Sequence, residues 1–205
     1  NRALQLGLKH GAEERIMTSI NGLGACSMNK NKYHEALHYF TKAFSYAEDD
    51  HDEAVIFNNM GSVYRELGEF DKANVNFTKA YEIYLKLNDK KSIASTYNNF
   101  GVLYIHWGKY DKALSYLNHA LKINREFNMK RSIASQICNI GYLYSMKKEY
   151  RTALSYHEKA LEIVREIGIL DLSKFYNNIG SAYAEMGNND IALNFYQKSL
   201  AVKKA

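Results

Sequence analysis

A glycine returns at one phase through this 205-residue chain, at Gly24, Gly61, Gly101, Gly141 and Gly180, with spacings of 37, 40, 40 and 39 residues. Other residues keep step with it. Three positions after the glycine stand Tyr64, Tyr104, Tyr144 and Tyr183, and nine after it Tyr33, Phe70, Tyr110 and Tyr150. Twelve after it come Ala36, Ala73, Ala113, Ala153 and Ala192, and nineteen after it Ala43, Ala80, Ala120, Ala160 and Ser199. Self-similarity at a period near 40 is the mark of a repeated supersecondary unit.

The residue types say what that unit is. Two helices approach to about 8 Å only where facing side chains are small, with larger residues filling the flanks. The glycine phase therefore reads as helix A, as in Tyr97-Asn98-Asn99-Phe100-Gly101-Val102-Leu103-Tyr104, and the alanine phases as helix B, as in Ala113, Leu117, Ala120 and Leu121. Gly68, Gly108 and Gly187 stand between the two, where a positive φ ends helix A. Proline is absent, so nothing interrupts either helix. One such hairpin buries too little surface to fold alone, and neighbours must stack into a continuous core.

The series small-Gly, Tyr, Ala, aromatic, Ala resembles the tetratricopeptide repeat over essentially the whole chain. The resemblance implies an all-α, right-handed α-solenoid of stacked antiparallel hairpins. The usual repeat has 34 residues and a proline closing helix B. Here the period is near 40 and Leu85, Arg125 and Arg165 stand in place of that proline, so helix B is expected to be longer. This long form is similar to the repeats of kinesin light chain, of LGN-type polarity adaptors, and of bacterial peptide receptors of the Rap and PlcR kind. The expected division is a single array over 1–205. Residues 1–10 are the end of an incomplete repeat, followed by repeats at 11–50, 51–89, 90–129, 130–169 and 170–205. Ala3-Leu4-Gln5-Leu6 falls 21 residues before Gly24, as Ala120-Leu121-Lys122-Ile123 falls 21 before Gly141. The chain is accordingly expected to be a piece of a longer array.

In this fold helix A lines the concave face, with the residues two and three before the phase glycine turned into the groove. The nearer position reads Gly22, Asn59, Asn99, Asn139 and Asn178; the farther reads Asn21, Asn58, Asn98, Cys138 and Asn177. Asparagine is a middling helix former that competes for backbone hydrogen bonds, so its recurrence in mid-helix has another cause. A carboxamide carries donors and an acceptor together and can hold one peptide unit at both C=O and N–H. The resemblance implies the same role, ligand-backbone contact, for Asn59, Asn99, Asn139 and Asn178. The alternative is that these amides bond the adjacent helix and stiffen the stack. Further groove positions by helical phase are Ser62 and Arg65, then Val102, Ile105 and His106, then Tyr142, then Lys174, Ser181 and Glu185. Cys138 is expected to be exposed there. The set suits a peptide with apolar anchors and some acidic character. The Lys and Arg set of a chaperone-tail carboxylate clamp is missing from every triplet of successive repeats.

No catalytic reading survives. Gly22-Leu23-Gly24 lacks a preceding strand. His34 and His38 share a helix face without a third metal ligand in phase. The run Asp49-Asp50-His51-Asp52-Glu53 lacks the spacing of a calcium loop and is expected to cap the helix that follows. Neither a cofactor nor a metal is expected. The net charge of +5 comes from lysines and arginines spread over both edges and interleaved with acids, which argues against direct nucleic-acid binding. No apolar run reaches the roughly 18 residues of a membrane span. Cys26 and Cys138 are three repeats apart, beyond the ~7 Å limit for a disulfide. The expectation is a non-catalytic, cytoplasmic, peptide- or protein-binding scaffold serving as the sensor or interaction part of a larger bacterial signalling protein. The alternative is a structural module that self-associates through its open ends.

Overall fold

In a computed structural model, the backbone of residues 2–204 and the side chains of residues 13–202 are described. Among the described residues the chain is all-α: α1 (Arg2–Asn29), α2 (Tyr33–Phe44), α3 (Asp50–Glu66), α4 (Phe70–Lys86), α5 (Lys90–His106), α6 (Tyr110–Glu126), α7 (Lys130–Met146), α8 (Tyr150–Glu166), α9 (Ser173–Glu185) and α10 (Asn189–Lys204). From α3 to α8 each has 17 residues and each turn has three, so the extra length is shared by helices A and B alike.

The chain divides into two compact units, Asn1–Asn99 and Phe100–Ala205, the division lying inside α5. In the first unit α1 pairs with α2 and α3 with α4, and α2 packs on α3. In the second, α7 pairs with α8 and α9 with α10, while α6 packs on α7 and α8 on α9. Each odd-numbered helix is a helix A and each even-numbered one a helix B. Successive helices A also touch directly, α1 with α3 and α7 with α9.

The phase glycines are where the two helices of a hairpin close on each other. A Cβ at Gly61 would lie 2.7 Å from two ring carbons of Phe77, and one at Gly101 would lie 2.6 Å from Leu117 Cγ. Gly24 meets Phe40 in the same way, Gly141 meets His157, and Gly180 meets Tyr196. Every one of these partners stands sixteen residues after its glycine, a phase the sequence comparison missed. Beside the contact, Ala36, Ala73, Ala113 and Ala153 have no exposed surface at all. The recurring tyrosine stacks on a helix-B ring: Tyr104 on Tyr116 and Tyr144 on Tyr156 with centroids 5.4 Å apart, and Tyr183 on Phe195 at 5.8 Å. Near-parallel pairs of this kind add about 0.5–1.5 kcal/mol beyond the area they bury.

Helix A of the second hairpin ends in a Schellman motif, with Glu69 N–H donating to Tyr64 C=O at 2.9 Å and Gly68 N–H to Arg65 C=O at 3.0 Å. Gly68, Gly108 and Gly187 take φ near +75°, as their position requires. The same conformation falls to Asn31 and Lys148 in the other two A–B turns, and to Asn88 and Asn128 between hairpins. Asparagine tolerates it through local side-chain hydrogen bonding, whereas Lys148 carries the steric cost. At the N-terminus α1 runs unbroken from Arg2 to Asn29, with no turn at the boundary expected after residue 10. The side chains of Ala3-Leu4-Gln5-Leu6 lie outside the described residues.

Candidate peptide-binding face

The asparagines two and three before the phase glycines lie in mid-helix on α3, α5, α7 and α9, half-buried, and the structure shows what fixes them. In the first unit Asn59 Nδ2 on α3 donates to Asn21 Oδ1 on α1 at 2.8 Å. Asn99 Nδ2 on α5 donates to Asn58 Oδ1 on α3 at 3.3 Å. Asn58 passes the bond on, its Nδ2 donating to Thr96 Oγ1 at 3.2 Å. In the second unit Asn178 Nδ2 on α9 donates to Cys138 Sγ on α7 at 3.1 Å. The rule is the same in each case: the residue two before the glycine donates to the residue three before the glycine of the preceding repeat. Asn98 and Asn139 are engaged as well. Each of Asn59, Asn99 and Asn178 thus spends one amide hydrogen on the preceding helix A, and no described protein atom partners its Oδ1.

The remaining phase positions divide. Ser62 Oγ bonds back to Asn58 C=O at 3.1 Å, and Arg65 forks onto the neighbouring Glu66 carboxylate at 2.6 and 3.2 Å, so its charge is compensated locally. Val102 and Asn177 are half-buried, while Lys174, Ser181 and Glu185 are exposed. His106 and Tyr142, on consecutive helices A, bring their rings to 6.2 Å. Two expectations are corrected. Ile105 is buried, at 1% exposure, because its phase points it into the hairpin core. Cys138 is equally closed off, covered by the Asn178 amide and by His157, whose Nδ1 lies 3.9 Å from its sulfur. Burial holds the Cys138 thiol above its usual pKa, so it stays S–H at neutral pH.

His157 is the residue that sequence reasoning passed over. It occupies the position of Phe40, Phe77 and Leu117 in other repeats and is 1% exposed. Burial, with the Lys174 charge adding to it, brings its pKa down to about 4, so the ring is neutral. It lies at the floor of a cleft of about 430 Å³ between α7 and α9, walled by Tyr142, Met146, Tyr150, Ser181 and Glu185. Only its place sixteen residues after Gly141 could have drawn attention to it.

The acidic run caps its helix as expected. Asp49 takes an extended backbone and accepts from Asp52 N–H at 2.9 Å at the start of α3. Asp49, His51 and Asp52 do bring ligand-type atoms within 4.8 Å of one another, but Asp49 is committed to the cap. No described helix is long and apolar enough to cross a membrane.

The tetratricopeptide repeat family profile matches residues 15–86, 52–126 and 131–205, and the chain belongs to that family. A search of curated proteins finds no significant match. Among solved structures, Rap protein complexed with competence and sporulation factor superposes with a TM-score of 0.80 at 19% identity. That match covers 89% of this chain and 52% of Rap. The Rap conjugation gene regulator of plasmid pLS20, in complex with the Phr* peptide, gives 0.79 at 20% identity over 88% of this chain and 51% of that one. The nearly identical TPR-like repeats of a Podosopora anserina kinesin-light-chain sequence give 0.66 at 13% identity, covering 93% and 95%. The chain therefore spans about half the length of the Rap proteins it resembles.

Proposed function

We propose that the chain is a non-catalytic scaffold that binds an extended peptide or partner segment along its helix-A faces, through the amides of Asn59 and Asn99 in the first unit and Asn139 and Asn178 in the second. One observation carries the reading: the bond from each of Asn59, Asn99 and Asn178 to the helix A before it fixes the amide's orientation while its carbonyl oxygen stays without a partner among the described residues. Oxygens held in this way are preorganised acceptors for the N–H groups of an extended chain, at little cost in side-chain entropy. The stiffening and binding roles of the row are then one arrangement. The fold shared with Rap proteins solved with a peptide or factor bound supports the same use, as the sensor or interaction part of a larger cytoplasmic regulator. The test is a thermal-shift series with pools of short extended peptides, paired with light scattering. A peptide that raises Tm while the mass stays constant supports the reading; no stabilisation by any pool counts against it.

A second reading, self-association, is favoured by α10, where Ile191, Leu193, Tyr196 and Leu200 are 37–56% exposed. A mass that rises with concentration and ignores peptide would support it over the first.

A further inference from the structure

We propose that the cleft between α7 and α9 is an anchor subsite for a flat apolar side chain with a hydroxyl at its tip, the phenol of a peptide tyrosine, with His157 as the hydrogen-bond partner at its floor. The proposal rests on the peptide-binding reading above, of which it is the specificity-setting part.

A buried polar ring in a hydrophobic position is the first argument. In the first three hairpins the residue packed on the phase glycine is Phe40, Phe77 or Leu117, which makes an apolar floor. In the fourth it is His157, which fills the same space but brings two nitrogens into the core. The ring edge bearing Nδ1 and Cε1 faces Gly141 and Cys138. Nε2 lies next to Cε1 in the ring, on the side away from Nδ1, and no described residue hydrogen-bonds to it. Among the described residues only Gln136 Oε1 is a fully buried side-chain polar atom without a partner, so the unpartnered Nε2 keeps some accessible surface, and a molecule in the cleft that His157 lines can hydrogen-bond to it.

Cys138 Sγ lies 3.9 Å from His157 Nδ1, and which of the two donates depends on the ring tautomer. Nε2 of the neutral imidazole is a donor in one tautomer and an acceptor in the other, and a hydroxyl group pairs with either. The walls supply the rest. Tyr142 and Met146 from α7 and Tyr150 from α8 offer flat, polarizable surface, and Ser181 from α9 offers a hydroxyl. The volume of about 430 Å³ is that of a small-ligand cleft, within the usual range of about 300–1,000 Å³. Glu185 and Lys148 both line the cleft, so their opposite charges select neither an anionic nor a cationic tip, and the neutral phenol is the fitting occupant.

The test is NMR of the full chain, ¹³C-labelled at methionine methyls and imidazole carbons, titrated with N-acetyl-tyrosine amide and with N-acetyl-phenylalanine amide. The tyrosine derivative should shift Met146 and His157 saturably and bind about fivefold more tightly than the phenylalanine derivative, the difference one hydrogen bond makes. His157→Leu installs the residue that the third hairpin uses, and should bind both derivatives with the weaker affinity. Absence of a saturable shift, equal affinity for the two derivatives in the wild type, or unchanged tyrosine preference in His157→Leu each overturns the proposal. The wild-type comparison decides even if the variant does not fold. If the cleft fails while peptides still bind in a manner sensitive to Asn59 and Asn99, the groove reading stands without it; if the cleft binds tyrosine and no peptide engages the asparagines, the reverse holds.

Discussion

Gly22→Ala and Gly61→Ala are the same chemical change in mid-helix of the first unit, and the structure requires opposite outcomes. In both, the alanine gains helix propensity worth about 1 kcal/mol. At Gly22 a Cβ meets nothing within 4 Å, so the gain is kept and the variant is stabilised by about that amount. At Gly61 the new carbon lies 2.7 Å from Cδ1 and Cε1 of Phe77, about an ångström inside ordinary carbon contact. Phe77 is fully buried in a close-packed interior, so relieving the overlap requires α3 and α4 to part. Overpacking of this kind costs about 1–3 kcal/mol, and the shift is large enough to place this site at the upper end. The net effect is destabilisation by about 1–2 kcal/mol, and the two variants should differ by about 2–3 kcal/mol. Urea denaturation of the full chain followed by far-UV circular dichroism reads that difference. If the two variants shift the midpoint in the same direction, the close A–B approach at the phase glycine is wrong and the register of the hairpins with it.

Ala113→Leu inserts three carbons where the wild-type residue has no exposed surface, and should lower stability by about 1–3 kcal/mol in the same assay. His157 has a folded-state pKa of about 4 against an unfolded value near 6.5. The unfolded chain therefore takes up a proton first as pH falls, so the neutral ring's contribution is complete above pH 6.5 and is lost down to pH 4, by about 3 kcal/mol. His157→Leu should flatten that part of the pH–stability curve, and an identical slope in the variant would remove His157 as its cause. Cys26 should react with a thiol reagent in the native protein while Cys138 waits for unfolding, which peptide mapping after timed labelling distinguishes.

The hairpin register was legible in the sequence because Gly, Ala and Tyr recur as the same residue types, each demanded by one geometric need. Gly61 and Ala73 can only be small, and Tyr104 can only stack if it stays flat. The residue facing each glycine was not legible, because Phe40, Phe77, Leu117, His157 and Tyr196 share only bulk, and bulk alone leaves no repeated letter. The asparagine row was visible as a pattern, but not its hydrogen-bond direction: that depends on how far each helix A is displaced from the one before, a property of packed hairpins. Cys138 was misplaced for a related reason. Helical phase sets the side of a helix a residue faces, while the Asn178 amide that covers this thiol comes from forty residues away.

The central claim is that this amide row holds a peptide backbone, and the most direct test is the affinity of a peptide selected from random decapeptides for the wild-type chain and for Asn59→Ala/Asn99→Ala, by calorimetry. Each substitution removes one half-buried hydrogen bond, so the variant should stay folded with a stability loss of about 1 kcal/mol per site, while peptide affinity falls at least tenfold. Unchanged affinity in a folded variant would contradict the claim and leave the asparagines as struts between helices.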